Sequence, residues 1–121
     1  EACRMLVDEY DGEVPQSIEA LVRLPGVARK TANVVLATCF NIPSGVIVDT
    51  HVIRLSGRIG LSQASKPEDI ERDLMRLVPQ DQWTFFGPAL ILLGRYVCTA
   101  KKPDCPNCVM QDICPKIGVA R

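Results

Sequence analysis

Leu24-Pro25-Gly26-Val27-Ala28-Arg29-Lys30-Thr31 is the stretch on which the reading of this 121-residue chain turns. Upstream of it, Ser17 is a good N-cap for a short helix through Val22, with Ile18, Leu21 and Val22 on one face. Downstream, Val34, Val35 and Cys39 suit the buried stripe of a helix from Ala28 to Cys39. Pro25-Gly26 breaks the chain sharply between the two. A tight turn containing glycine lets backbone N–H groups project outward, and the second helix brings its positive N-terminal end to the same place. Such a cradle can hold a phosphate without reading a base. Leu24, Gly26, Val27, Ala28 and Arg29 are its candidate contacts, with Lys30 adding charge beside them. An ordinary helix-to-helix connection has the same punctuation, so these eight residues do not decide the matter alone.

Working outward, helical patterns recur and strand signals are nearly absent. Ala2 to Tyr10 reads as an amphipathic helix stopped by Asp11-Gly12. Asn41 to Gly45 is a loop, and Val46-Ile47-Val48 is a short extended or buried stretch. Asp49 or Thr50 caps a helix to about Ile59. Ser65-x-x-Glu68 has the form of a capping box, with Pro67 in the first turn of a helix that continues to Val78 and ends at Pro79. Trp83 to Val97 is apolar all round, which predicts a deeply buried helix with a kink near Pro88. The class is all-α. The division expected is 1–60, a partial helical domain with its hairpin at about 18–39, and 61–121, a helical lobe ending in a cysteine loop.

Composition narrows the function classes. A chain that is 47% hydrophobic can bury a core at this length. Its longest apolar run, Ala89 to Leu93, is far too short to span a bilayer, and Glu1 to Tyr10 is acidic rather than signal-like. A soluble, intracellular protein with no membrane partner is expected. Formal net charge is zero, which by itself argues against a nucleic-acid partner. The distribution argues otherwise: residues 1–20 sum to −5, 21–60 to +4, 61–85 to −2 and 86–121 to +3. Local field governs binding to a phosphate backbone, and the motifs lie in the two basic blocks.

Cys98, Cys105, Cys108 and Cys114 follow C-x6-C-x2-C-x5-C within seventeen residues. Without a secretory signal this reads as a metal or cluster site rather than a disulfide framework. Four thiolates suit zinc or a [4Fe–4S] cluster, and spacing does not choose between them. Lys101 and Lys102, between the first two cysteines, are expected to face phosphate. Cys3 and Cys39 read as small buried hydrophobes. Asp49 is at least an N-cap, and His51, the only histidine, is expected to pack or bond to backbone. Arg54 and Arg58, four apart, read as a solvated helix face.

Read as a longer string, Leu24 to Leu36 (LPGVARKTANVVL) resembles the hairpin and following helix of the endonuclease III family of DNA glycosylases. Val48-Asp49-Thr50-His51 resembles that family's VDTH segment. Leu92-x-Gly94-Arg95-Tyr96-x-Cys98 and the cysteine spacing resemble its cluster loop, in the same order along the chain. The resemblance implies a partial helix-hairpin-helix glycosylase fold with a C-terminal iron–sulfur loop. It implies Lys30 as the catalytic nucleophile and Asp49 as the catalytic carboxylate. It moves the cofactor reading to a [4Fe–4S] cluster on the four cysteines, with structural zinc as the alternative. The implied partner is double-stranded DNA containing damaged bases or abasic sites. The implied activity is base-excision repair of oxidised pyrimidines by a glycosylase with β-elimination lyase activity, in the cytoplasm or nucleoid if the source is bacterial.

Three other readings remain beside it: a non-catalytic DNA-binding module, a zinc-stabilised structural fragment, and a related glycosylase with another lesion specificity. The related adenine glycosylases generally lack a nucleophilic lysine at this hairpin position, so Lys30 argues against them. One departure is visible, since the family usually has glycine where this chain has Ala28; alanine remains small and favours helix entry. Family members also carry a substantial portion before the equivalent of Glu1. Helices that pack on such a portion would expose apolar faces here, so self-association, disorder or marginal stability is expected of the isolated chain.

Overall fold

The computed structural model describes residues 1–119 and is helical, with no strand among the described residues. Six α-helices follow in order: α1 Ala2–Tyr10, α2 Ile18–Val22, α3 Arg29–Phe40, α4 Thr50–Ile59, α5 Pro67–Leu77 and α6 Trp83–Tyr96. Short 3-10 turns occupy Gln80–Gln82 and Cys105–Asn107. The chain divides into two compact units, Glu1–Ser44 and a second that begins at Gly45. The sequence grouped α4 with the hairpin; in the structure it lies in the second unit, where it packs on α5 and α6.

In the first unit, Leu21 and Leu24 from the end of α2 meet Ala32 and Leu36 from α3, all buried. Met5, Leu6 and Tyr10 of α1 close over them. The Ser17 hydroxyl accepts from Ala20 N at 3.2 Å, which is the N-cap expected from the sequence. Asn33 is buried at 2% exposure, which a polar side chain tolerates only with a partner; Ser44 Oγ donates to its Oδ1 at 2.8 Å. That bond ties the chain leaving α3 back onto the helix.

In the second unit, Val46, Val48, Val52 and Leu55 pack with Ile70, Leu74 and Leu90. Two glycines let α6 come close. A Cβ on Gly87 would sit 3.0 Å from the Cβ and carbonyl oxygen of Ile47, and one on Gly94 would sit 3.0 Å from His51 Cβ and Arg54 Nη2. The stretch 46–48 is buried, as expected, and α6 passes through Pro88 without ending.

Several expectations need correction. Ala28 is the N-cap of α3 rather than its first residue, and the helix runs one residue past Cys39. Lys66, not Ser65, precedes α5, and no side chain caps it; Glu68 and Asp69 in the first turn and Pro67 at its start favour the helix instead. The apolar helix α6 is not deeply buried, because one layer covers it: Gly87, Leu90 and Gly94 face inward while Phe85, Leu92 and Tyr96 are exposed. Cys3 and Cys39 are exposed, since other positions face the core, Met5, Leu6 and Tyr10 on α1 and Ala32 and Leu36 on α3.

Candidate nucleic-acid and iron–sulfur sites

The hairpin is built from backbone. Arg23 and Leu24 close the end of α2 through bonds to Ala20 and Leu21 carbonyls, and Val27 N donates back to Leu24 O at 3.1 Å. Gly26 takes φ +82°, a left-handed conformation that glycine adopts freely, and no atom lies within 4 Å of where its Cβ would be. The chain then extends at Ala28, whose carbonyl accepts from Ala32 N at 3.0 Å. Ala28 has no side chain able to cap the first turn of α3, so a helix N-terminus and its dipole open beside the exposed turn. Gly26, Ala28, Arg29 and Lys30 are exposed and Val27 is half-buried. The Leu24 side chain is 5% exposed and belongs to the core beneath the turn. Lys30 stands in the first turn of α3, exposed, next to Arg29.

Asp49, in the second unit, is half-buried and is the N-cap of α4, where Oδ1 accepts from Val52 N at 2.9 Å. That bond fixes the carboxylate and leaves its other oxygen available. His51 Nδ1 lies 3.1 Å from Arg54 Nη2, a partner the sequence did not indicate.

Arg54 and Arg58 are the residues for which the sequence misleads. Neither is on a solvated face; both reach from α4 to the start of the cysteine loop. Arg54 Nη2 donates to Gly94 O at 2.9 Å and Cys98 O at 3.0 Å. Arg58 Nη1 donates to Thr99 O at 2.8 Å and to Cys98 Sγ at 3.2 Å, and Nη2 to Ala100 O at 2.9 Å. Ile117 N returns to Arg58 O at 3.0 Å. The only hint in the sequence is the four-residue spacing, since the partners lie about forty residues downstream.

The four cysteines of the loop are free of disulfides and line one cavity of about 410 Å³, counting space open to solvent. Ile59, Leu93 and Val97 supply apolar wall. Among the described residues, no three His, Cys, Asp or Glu side chains gather tightly enough for a single ion. The four cysteines line that cavity together, the four-thiolate set that an iron–sulfur cluster uses. Three sulfurs already accept N–H bonds, from Arg58 Nη1, Met110 N (3.4 Å) and Lys116 N (3.4 Å), as ligating thiolates do. Gln111, also on the wall, has its buried Oε1 without a partner. The donor set therefore fits a cluster. Lys101 and Lys102 are exposed on the same loop, with the backbone beneath them fixed by Thr99 Oγ1 donating to Lys102 O at 2.8 Å.

Residues 98–114, the span of the four cysteines, match the iron–sulfur binding domain of endonuclease III, and residues 9–38 match the helix-hairpin-helix motif. The chain is 59% identical over 114 residues to an endonuclease III of Synechocystis, covering 94% of this chain and 52% of that protein. It is 44% identical over 112 residues to the Escherichia coli K12 protein of the same name, covering 93% and 53%. The chain belongs to the endonuclease III family. It spans about half the length of the curated relatives it matches.

The fold agrees with the family. A trapped endonuclease III–DNA covalent intermediate superposes with a TM-score of 0.87 at 41% identity, over 95% of this chain and 54% of that one. A thermostable thymine-DNA glycosylase gives 0.81 at 26% identity, over 96% and 55%. For an endonuclease III-family sequence, the match over residues 98–114 also resolves the choice of cofactor that spacing left open, in favour of [4Fe–4S] over zinc.

Proposed function

We propose that this chain acts in base-excision repair as a DNA glycosylase with abasic-site lyase activity, on oxidised pyrimidines in duplex DNA, in the cytoplasm where the chromosome lies. Lys30 is the nucleophile. The lone pair of its Nζ attacks the sugar C1′ while the C1′–base bond breaks, and the base leaves with the electron pair and takes up a proton. The amine then loses a proton and the C1′–O4′ bond opens, giving an imine between Lys30 and the sugar. Loss of a C2′ proton expels the 3′ phosphate, and water hydrolyses the imine to free the lysine. Asp49 stabilises the positive charge that builds on the sugar and carries protons between steps. The bond from the Val52 amide holds that carboxylate in one orientation, which supports the role.

The hairpin amides, Arg29, Lys101 and Lys102 hold phosphates. When bound by Cys98, Cys105, Cys108 and Cys114, the cluster supplies a four-point anchor that keeps the basic loop in shape. The observation that carries this reading is the placement of Lys30, an exposed amine one turn beyond Gly26 on an uncapped helix N-terminus. A nucleophile there stands beside the phosphate cradle that would deliver the damaged sugar.

The test is strand cleavage of a duplex with one abasic site. The unaltered protein is expected to cleave by β-elimination, Lys30→Ala to lose cleavage while retaining DNA affinity within a few-fold, and Asp49→Asn to slow it by roughly 10²–10⁴-fold. Equal cleavage by Lys30→Ala contradicts the assignment. Retained binding with no cleavage by the unaltered protein would instead identify a DNA-binding module.

A further inference from the structure

Three of the sulfurs that line the cavity accept N–H bonds, but from different sources. Those on Cys108 and Cys114 come from the backbone of Met110 and Lys116. That on Cys98 comes from the guanidinium of Arg58, a charged side chain on another element. Arg58 also lines the cavity, and the same residue fastens both ends of the loop. Its planar fork holds Cys98, Thr99 and Ala100 at the entry, and its carbonyl holds Ile117 at the exit.

We propose that Arg58 is a positioning residue for the iron–sulfur cluster, closing the loop around it and raising its reduction potential through the N–H···S bond to Cys98. This rests on the cluster reading above. The physical argument concerns charge. A cluster gains negative charge on reduction, and a hydrogen bond or positive charge at a ligand sulfur stabilises the reduced form more than the oxidised one. Arg58 supplies both at one sulfur. Arg54 differs: it donates to the Cys98 carbonyl rather than to the sulfur, so it orients the loop from its backbone. The Arg58 fork also has geometric value, because three carbonyls and a sulfur are met by one rigid group; lysine has the charge but not the fork.

The experiment uses the cluster-loaded protein and two readouts: the reduction potential by redox titration, and the rate at which a chelator bleaches the visible absorption. Arg58→Met is expected to shift the potential to a more negative value and to speed bleaching roughly tenfold or more, the scale of one lost charged hydrogen bond. Arg58→Lys is expected to recover most of the potential but little of the lifetime. Arg95→Met removes one positive charge from the exposed end of α6, and is expected to leave both readouts near those of the unaltered protein. A coloured Arg58→Met protein with unchanged potential and lifetime overturns the proposal while leaving the cluster reading intact. An Arg95→Met shift as large as that of Arg58→Met also overturns it, since net charge would then explain the effect. Should Arg58→Met not retain a cluster, Arg58→Lys decides alone: unchanged bleaching overturns the proposal, and faster bleaching supports it. A colourless, zinc-loaded unaltered protein overturns the cluster reading, and this proposal with it.

Discussion

The hairpin turn and the cysteine loop both lack α-helix and strand, yet they draw on different sources of stability. The hairpin is held locally, by backbone bonds spanning three or four residues and by Leu24 plugged into the core beneath it. Its shape is written in Pro25-Gly26 and needs nothing distant. The loop has short-range bonds too, Cys108 N to Cys105 O and Cys114 N to Met110 O among them, but its entry is also tied to Arg54 and Arg58 of α4, about forty residues away, and its thiols face a cavity. A backbone-built turn tolerates change in neighbouring side chains. A loop hung on side chains and a cofactor fails when one of them is removed.

The largest expected contrast comes from removing a loop ligand. Cys105→Ser is expected to lose the cluster and loosen residues 98–114 to protease, because ligand binding and local folding are one free energy in such sites. The first unit should keep its helical signal, and loss of both units together would break the distinction between the two turns.

The same substitution in the two regions gives a sharper comparison of moderate size. Gly26→Ala meets open space and costs only the left-handed conformation, about 1–2 kcal/mol. Gly94→Ala meets Arg54 Nη2 and His51 Cβ at 3.0 Å, so it overpacks α4 against α6 at about 1–3 kcal/mol and disturbs the arginine beneath the loop. Thermal melts measure both. Only Gly94→Ala should also shorten the lifetime of the cluster, and an equal effect from Gly26→Ala would contradict local construction of the hairpin.

Much of the hairpin is readable from sequence because its causes are adjacent in the chain. Ser17 caps α2, Gly26 turns, and Asp49 caps α4, each an interaction within a few residues. The loop is readable only as spacing. Which side chains hold it depends on how α4 lies against α6, and that packing is set by Gly94 and the buried row Val52 and Leu55, a three-dimensional fact. The same reason explains the misreadings. Arg54 and Arg58 look like surface residues until Cys98 is placed beside them, and α6 looks like a fully enclosed helix because hydrophobic content does not say how many layers cover it. Phe85, Tyr96, Val109 and Ile113 are exposed in the same way.

The smallest effect concerns DNA. Lys101→Ala with Lys102→Ala is expected to lower the salt dependence of duplex binding by about 0.9 in log–log slope for each phosphate that the two lysines neutralise. No change in slope would leave phosphate holding to the hairpin side alone.

The most direct measurement of the central claim is borohydride reduction of the protein on an abasic-site duplex, followed by digestion and mass mapping of the cross-linked peptide. Attachment of the sugar remnant to Lys30 is the predicted result. A cross-link mapped to Lys101, Lys102 or the N-terminal amine, with Lys30 unmodified, would contradict the account.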